Sequence, residues 1–443
     1  MGSFSYFPHT EEDIKQMLDK IGVSSLDDLY GDVPSDFIYK KEYDLPEAMT
    51  EQQVREHFSS LEAKNQRLKI FAGAGAYDHY TPAVVPYLAS RSEFSTAYTP
   101  YQAEISQGTL RYIFEYQSMI CELTGMEVSN ASMYDGPTAA AEAAMMAMVC
   151  TKRKTRVLLS DTLLPHVAEV IRTYALYHGI ELGAIASEGG QTSLEALEKE
   201  LQSGDVAGVI VPDINKYGII EDHTGLTEAV HKAGGVAVAY CDPSALAVIK
   251  TPGEWGFDIA VGDGQPLGLP LNFGGPYVGF MACRKEHVRK LPGRIVGQTT
   301  DADGKRCFVL TLQAREQHIR REKATSNICS NQSLMALYVT IYLSLMGPEG
   351  LRRVNEISAA GAHILHDKLL ETGLFTEVFD KPFLKEFVLK PSCPPEKLHK
   401  ALLEKGFFGA LPDDEGYVSF CVTEKRSEEE IDNLVKAVKE AEL

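Results

Sequence analysis

Residues 261–280 have the layout of a segment that carries a cofactor-binding lysine, but a glutamine stands where that lysine would be. The segment reads VGDGQPLGLPLNFGGPYVGF, and the glutamine is Gln265. A lysine at this position could join a cofactor aldehyde as an imine, because its primary amine can lose a proton. The carboxamide of Gln265 cannot do so, since its nitrogen lone pair is delocalised. The segment therefore predicts a cofactor site without its covalent anchor.

An acidic residue that could serve the same cofactor lies upstream, where a small-residue apolar segment ends at Asp242. A carboxylate at a strand end can partner the ring nitrogen of pyridoxal phosphate. An Asp followed by Pro243 is also typical of a plain turn, so both interpretations stay open. Together, Asp242 and Gln265 favour a pyridoxal phosphate pocket that has lost its lysine, whose chemistry needs a second chain.

The turn at Asp135 begins a small-residue helix, DGPTAAAEAAMMAMV, and its free amides could hold a phosphate. Such a turn also serves plain helix capping, and the Asp135 carboxylate would repel a phosphate. The glycines at 274, 275 and 279 are equally open to two interpretations, a tight turn beneath a ligand or loop punctuation. The nearest lysines, Lys250 and Lys285, fit solvated positions near strand ends better than an imine-forming role.

Two further segments are dense in polar or aromatic groups. Residues 97–102, AYTPYQ, contain Tyr98 and Tyr101, whose rings could line a small ligand or form a subunit contact. Residues 315–323 gather Arg, His and Lys side chains in an acidic chain. They could form a solvated helix face with ion pairs to Glu316 and Glu322. The alternative is a recognition segment for a carboxylate or phosphate.

Strand and helix patterns alternate from about residue 156 to Asp242, and this alternation must position these groups. We predict strands at 157–160, 181–186, 207–212 and 236–242, separated by helices at 165–178, 193–201 and 223–233. Such alternation implies a mostly parallel sheet with ligand sites outside the carboxyl ends of the strands. Asp242 lies at such an end. Two longer helices are predicted at about 107–124 and 331–345.

Breakers and helix caps suggest three domains. Thr10 and Thr50 each open an amphipathic segment, which predicts an N-terminal helical arm over residues 1–66. A large α/β domain is predicted over 67–347. The breaker GPEG at 347–350 then introduces a small α/β C-terminal domain over 348–443, with the order helix, strand, helix, strand, helix.

Composition narrows the function classes. The chain has 443 residues, with 43 basic against 62 acidic side chains and a net charge of −19, which disfavours nucleic acid and anionic membranes as partners. Its eight cysteines include no CxxC pair and fit buried thiols in a reducing compartment; no metal site is predicted. The N-terminus lacks a leader pattern and a myristoylation signal. We therefore expect a cytoplasmic protein with no membrane span.

At these residues the chain closely resembles the alpha, N-terminal-half type of the P-protein family of the glycine cleavage system. The resemblance covers essentially the whole sequence. It rests on these stretches: FAGAGAYDHYTPAVVP from Phe71, TAYTPYQAEISQGTLRYIFEYQSMICELTGM from Thr96, NASMYDGPTAAAEA from Asn130, VAYCDPSALAV from Val238, the segment at 261–280, and REQHIRREKATSNICSNQ from Arg315.

The resemblance implies a fold-type I, aminotransferase-like architecture, that of pyridoxal phosphate-dependent transferases. It also implies a homologous beta subunit that carries the lysine and the pyridoxal phosphate, in a heterotetramer of two alpha and two beta chains. Gln265 would be the counterpart of that lysine. The implied reaction decarboxylates glycine and passes its aminomethyl group to the lipoyl arm of H-protein.

On this interpretation the Tyr98 to Gln102 loop and the His79-Tyr80 loop reach the beta-chain site, with His79, Tyr98 and Tyr101 as candidate catalytic residues. Asp242, Asp135 and Gln265 then mark an ancestral cofactor pocket. Two alternatives remain open at this stage. The chain could be a complete pyridoxal phosphate enzyme that uses another lysine, or a non-catalytic scaffold or regulatory subunit.

Overall fold

The computed structural model describes residues 8–96, 98–151, 154–272, 274–324 and 326–441. The chain divides into two compact units, Met1–Gln66 and Arg67–Leu443. We call the described part of the first unit the arm and that of the second the body.

The arm contains two helices, α1 at Glu11–Ile21 and α2 at Glu51–Glu62. Each begins with a capping box, in which a threonine accepts from the backbone three residues on and that residue's side chain accepts from the threonine N–H. The predicted caps at Thr10 and Thr50 are confirmed. Neither helix buries a residue, so local capping, more than packing, defines these helices in the chain alone.

The helices of the body surround its sheets. Their bounds are α3 Val84–Ala89, α4 Gln107–Thr124, α5 Gly136–Thr151, α6 Pro165–His178, α7 Leu194–Leu201, α8 Leu226–Lys232, α9 Pro252–Trp255, α10 Gln317–Arg320, α11 Ser333–Glu371, α12 Pro395–Glu404 and α13 Glu428–Lys439.

The strands of the body are short. Their bounds are β1 Lys69–Phe71, β2 Val128–Ser129, β3 Arg156–Ser160, β4 Glu181–Ile185, β5 Ser187–Glu188, β6 Gln191–Thr192, β7 Val206–Pro212, β8 Val236–Cys241, β9 Ile259–Asp263, β10 Gly279–Cys283, β11 Ile295–Thr300, β12 Arg306–Thr311, β13 Phe375–Glu377, β14 Glu386–Pro391, β15 Phe407–Gly409, β16 Leu411–Pro412 and β17 Val418–Cys421.

A seven-stranded sheet in the order β2-β10-β9-β8-β7-β3-β4 forms the centre of the body. The pairs from β9 through β4 are parallel, whereas β10 runs antiparallel to both of its neighbours. Strands β7, β8 and β9 are buried at every residue, because helices and loops cover both faces. The predicted α/β class with a mostly parallel sheet is confirmed.

A four-stranded antiparallel sheet, β13-β14-β17-β16, lies in the C-terminal part. It shares a hydrophobic core with the second half of α11, with α12 and with α13. Helix α11 bends at Gly347, whose backbone is not helical, at the predicted breaker. Because the chain from Arg67 on forms one compact unit, the predicted domain boundary at 347/348 stays a prediction.

Among the described residues, α11 is the one helix whose length and apolar composition would suffice to cross a membrane. It is bent at Gly347, and its buried side chains pack in the cores of both sheets. These features are those of a core helix in a globular body.

Candidate functional site

Three acidic residues meet where the parallel strands end. Asp213 follows β7, Asp242 follows β8, and Asp263 ends β9. Asp242 and Asp263 border a cavity of about 20 Å³, room for a single water molecule. Its lining residues are Gly75, Tyr77, Leu164, Ile214, Tyr240, Cys241, Asp242, Asp263 and Pro266. We call this place the closed pocket.

Gln265 lies at the edge of the closed pocket and is 1% exposed. Its carboxamide oxygen accepts from the Tyr77 N–H at 2.8 Å, and its nitrogen donates to the carbonyls of Tyr77 and Leu269, both at 2.9 Å. The side chain therefore pairs with the Tyr77 backbone much as a neighbouring strand would. Where a lysine would reach a cofactor, this glutamine fixes a loop.

The first turn of α5 is occupied by two carboxylates of this chain. Asp135 accepts from the Thr138 N–H at 2.7 Å, which caps the helix. Asp263 accepts from the Gly136 N–H and from the Gln265 N–H, each at 2.9 Å. Burial raises the pKa of the Asp263 carboxyl to about 7. A phosphate at this turn would meet two acidic groups, and the Gly136 N–H is already bonded to Asp263. The contact of Asp135 with the Thr138 N–H is that of a helix cap.

Asp242 is paired with a lysine that the sequence analysis did not identify. The Lys385 ammonium lies 2.6 Å from an Asp242 oxygen, and both side chains are buried. It also donates to the Ser244 hydroxyl at 2.9 Å. Burial acts to raise the pKa of Asp242, but the neighbouring Lys385 charge and hydrogen bond outweigh it and hold that pKa below its ordinary value. The carboxylate that the sequence predicts as the partner of a cofactor ring nitrogen is thus paired with a side chain of the protein.

Asp213 lies beside this pair, and its carboxyl accepts from the backbone N–H groups of Ile214 and Asp242. Burial, followed by the charge of Asp242, raises the pKa of Asp213 well above its ordinary value. The shift favours the protonated, neutral form of this carboxyl, which avoids a second uncompensated buried charge.

These contacts decide whether pyridoxal phosphate fits the closed pocket. Gln265, predicted in place of the amine, bonds the Tyr77 backbone, and Asp242, the predicted ring-nitrogen partner, is paired with Lys385. Asp263 bonds the amide of Gly136 at the turn where a phosphate was considered. The remaining volume of about 20 Å³ admits a water molecule and not a cofactor ring. The residues of this chain do not fit the cofactor.

His79 is turned inward and is 4% exposed, although the sequence analysis placed it among the candidate catalytic residues. Its Nδ1 lies 2.6 Å from Glu424, and its Nε2 lies 3.1 Å from the Lys385 nitrogen. Burial and the Lys385 charge lower the pKa of His79. In the neutral ring, Nδ1–H donates to the carboxylate and Nε2 accepts from the ammonium, the tautomer that these partners require. A direct catalytic role for His79 stays a prediction, and its contacts are those of a side chain that links two charged groups.

Glu386 and Glu424 complete the surroundings of this loop. Glu386 accepts from the Ala74 N–H at 2.7 Å and from the Tyr77 hydroxyl at 3.1 Å. Glu424 accepts from the Tyr80 N–H at 2.6 Å. We call residues 72–83, which run from β1 to α3, the bridging loop. Both glutamates come from the C-terminal part of the chain, where Glu386 begins β14 and Glu424 follows β17.

The tyrosines of the predicted aromatic segment face solvent. Tyr98 and Tyr101 are 85% and 67% exposed, and Tyr80 is 58% exposed. The Tyr98 hydroxyl lies 3.1 Å from the Ser330 hydroxyl, and the Arg294 guanidinium lies 5.6 Å from the centre of the Tyr101 ring. We call the exposed tyrosines at 80, 87, 98 and 101 the aromatic edge. Neither Tyr98 nor Tyr101 lines the closed pocket, so the catalytic role predicted for them stays a prediction.

The cationic segment at 315–323 is divided. Arg315 donates into the body, to carbonyls that include Gly293 at 2.9 Å, whereas Arg320, Arg321 and Lys323 are exposed. His318 lies 3.5 Å from Glu316. Lys250 and Lys285 are also exposed, and Lys250 lies over the Trp255 ring at 3.5 Å. The two lysines occupy the solvated positions that the sequence predicts.

Sequence reasoning missed Lys385, Glu386, Glu424 and Asp263. One signal for Lys385 was present, since it alternates with Phe387 and Leu389 in a short apolar strand and would share their buried face. Nothing local indicates that this lysine meets Asp242, which lies 143 residues earlier by number.

Comparison with known proteins gives consistent matches over the whole chain. The family model described as Glycine cleavage system P-protein matches residues 4–438. A relative from Moorella thermoacetica, named probable glycine dehydrogenase (decarboxylating) subunit 1, is 50% identical, and the match covers 98% of this chain and 99% of the relative. A relative of the same name from Desulforamulus reducens is 47% identical and is covered to 98%.

The solved structures agree with these matches. A crystal structure of glycine decarboxylase (P-protein) of the glycine cleavage system, in inhibitor-bound form, superposes with a TM-score of 0.91 at 46% identity, covering 99% of this chain and 100% of that chain. The sphingosine-1-phosphate lyase of Burkholderia pseudomallei superposes with a TM-score of 0.68 at 12% identity, which indicates a shared fold alone.

Proposed function

The chain belongs to the glycine cleavage system P-protein family, and from this premise we propose that it completes an active site whose pyridoxal phosphate is held by a partner beta subunit. It is the subunit 1, or alpha, type of glycine dehydrogenase (decarboxylating). The fold is that of pyridoxal phosphate enzymes of fold-type I. The cofactor, when bound, supplies an electron sink for the electrons left behind by departing CO2.

The observation that carries this proposal is the closed pocket. Gln265, Asp242 and Asp263 are bonded to groups of this chain, and the cavity beside them has a volume of about 20 Å³. Both features support a site without its own cofactor. A chain with this pocket cannot perform the chemistry by itself. It can support the chemistry of a partner.

The aromatic edge is the part of this chain that we assign to the partner's site. Tyr98 and Tyr101 project from loop residues that precede α4, and their hydroxyls can donate or accept a hydrogen bond. Covering a site with such rings excludes water and strengthens each polar contact inside it. Through these contacts the chain would orient glycine and keep its carboxylate desolvated at the moment CO2 leaves.

Further partners follow from the same proposal. The aminomethyl group passes to the lipoyl arm of H-protein, and two alpha and two beta chains form a heterotetramer. We assign the assembly to the cytoplasm, in line with the net charge of −19 and the free cysteines recorded in the structure.

Borohydride trapping tests where the cofactor is held. The purified chain is incubated with pyridoxal phosphate, reduced, and mapped by mass spectrometry, with and without the beta subunit. We expect a reduced adduct on a partner lysine and no specific adduct on this chain. A stoichiometric adduct on one lysine of this chain would make it an enzyme in its own right and overturn the proposal.

A second experiment separates an active-site role from a scaffold role. Tyr98→Phe and Tyr101→Phe, each combined with wild-type beta subunit, should lower the rate of glycine–bicarbonate exchange about tenfold, because one hydroxyl contact near the reacting groups is lost. Exposed Tyr177→Phe, on α6, is the matched control. Full exchange by both edge variants in a fully assembled complex would favour the scaffold alternative.

A further inference from the structure

Five backbone groups of the bridging loop are bonded to side chains from distant parts of the chain. Gln265 bonds both backbone groups of Tyr77. Glu386 bonds the Ala74 N–H, and Glu424 bonds the Tyr80 N–H. On the outer side, the Thr423 hydroxyl donates to the Asp78 carbonyl at 2.9 Å. These bonds restrict the conformational freedom of the bridging loop.

Lys385 lies at the centre of these contacts. Its ammonium has three protons, and three acceptors surround it: Asp242 at 2.6 Å, Ser244 at 2.9 Å and His79 at 3.1 Å. It also lies 4.0 Å from the centre of the Tyr77 ring. Two of the acceptors follow β8 of the large sheet, whereas His79 belongs to the bridging loop. The lysine therefore joins the loop to the large sheet through one atom.

His79 passes this constraint on to Tyr80. Its other ring nitrogen contacts Glu424 at 2.6 Å, and the second oxygen of the same carboxylate takes the Tyr80 N–H at 2.6 Å. The Tyr80 side chain then emerges from the body with 58% of its surface exposed. A continuous chain of contacts thus runs from the buried Asp242 to an exposed ring.

Close packing adds a second constraint on the same loop. A β-carbon on Gly73 would lie 2.7 Å from a Glu386 oxygen, and Ala74 has a positive φ of 61°. A non-glycine residue in this conformation is strained, and the bond from Ala74 to Glu386 holds it there. The geometry of the loop is therefore imposed by its surroundings.

We propose that Lys385 is a positioning residue: it stands where a cofactor would, and through His79 and Glu424 it sets the place of Tyr80 at the partner's active site. The proposal rests on the proposed function, since it takes the partner's site as the destination of Tyr80. Neither His79 nor Lys385 touches the reacting atoms in this account.

The first measurement needs no partner and no activity. Hydrogen exchange of the full-length chain, followed by mass spectrometry, reports the bonded amides of the bridging loop. Lys385→Met should raise the exchange rate of peptides that span residues 73–83 by at least tenfold. Lys381→Met, which removes an exposed lysine from the same segment, should leave them unchanged. Unchanged exchange in a folded Lys385→Met chain would overturn the proposal.

The second measurement is a double-mutant cycle in the assembled complex. Lys385→Met and Tyr80→Ala should each lower the kcat of glycine–bicarbonate exchange, the first by about tenfold or more, because a small misplacement near the chemistry is costly. If the lysine acts through Tyr80, the double variant should be no slower than Tyr80→Ala alone. Additive losses would mean that Lys385 affects activity by another route. A fully active Tyr80→Ala variant would mean that the Tyr80 ring does not contribute to the partner's active site. Either result overturns the proposal.

Glu424→Gln repeats the cycle if Lys385→Met does not fold. The amide keeps an acceptor for the Tyr80 N–H but cannot also accept from His79, so it interrupts the same chain of contacts at a less buried point. Failure of the wider proposed function has a different signature: Tyr98→Phe, Tyr101→Phe and Tyr80→Ala would all retain full exchange, while the hydrogen-exchange result would be unaffected.

Discussion

The closed pocket and the aromatic edge contain similar kinds of side chain and use them in opposite ways. In the pocket, Gln265, Lys385 and Asp263 are buried and bonded within the chain. At the edge, Tyr80, Tyr98 and Tyr101 expose most of their surface. A charged cluster at the carboxyl ends of parallel strands is the usual place to look for chemistry in this fold. Here the buried cluster is bonded within the chain, and the groups that we propose for the partner's site are exposed.

If this contrast is right, the largest loss of stability comes from the pocket's ion pair. Lys385→Met leaves the Asp242 carboxylate buried without a partner, which should lower the free energy of unfolding by about 3–5 kcal/mol. Urea unfolding followed by circular dichroism measures the change, with Lys381→Met as the control. Replacing both partners, as Lys385→Met with Asp242→Leu, should restore much of the loss, because no buried charge then remains unpaired.

Restoring the lysine should not restore a cofactor site. Gln265→Lys removes three hydrogen bonds, two of them to the bridging loop, and adds a charge, so we expect a loss of about 2–3 kcal/mol. No borohydride-stable adduct with pyridoxal phosphate should form at position 265, since Lys385 and Asp263 still fill the pocket. An adduct there, seen by mass mapping, would show that the missing amine alone keeps the cofactor out.

The helices and strands around the closed pocket could be predicted from the sequence, but the side chains that pair inside it could not. The predicted helix bounds at 107–124 and 165–178 coincide with α4 and α6, because capping and breaking residues stand at their ends. Asp242 lies at the carboxyl end of β8, as the predicted parallel topology requires. Lys385 could not be assigned, since the register of β14 against β17 decides where it points and no local pattern encodes that pairing. The hairpin of β11 and β12 also went unpredicted.

The pocket also makes stability depend on pH. Burial raises the pKa of Asp263 from an ordinary 3.8 to about 7, so the folded chain binds a proton between these values that the unfolded chain has released. Stability therefore falls as pH rises from about 4 to about 7. Asp263→Asn should reduce this fall by about 1 kcal/mol or more, measured by thermal unfolding at pH 5 and pH 8. The exposed Asp380→Asn should leave the fall unchanged.

The smallest effect on stability should come from the aromatic edge. Tyr98→Phe removes one exposed contact with Ser330, so the free energy of unfolding should change by less than about 0.5 kcal/mol. Thermal unfolding of the isolated chain measures this change in stability. The larger loss expected for Gln265→Lys in the same assay serves as the comparison. A large loss of stability in Tyr98→Phe would place this tyrosine with the pocket and break the comparison.

Lys385 pairs with Asp242, and the Asp263 carboxyl accepts from the first turn of α5. These contacts bear on whether the chain needs a cofactor in order to fold. Enzymes that lodge a cofactor between such strands leave an open, charged hollow until the cofactor arrives, and the ligand then contributes to stability by mass action. This chain brings its own charges to the hollow. If the partner subunit alone holds the cofactor, as proposed, we expect a cell short of vitamin B6 still to accumulate this chain as a folded protein.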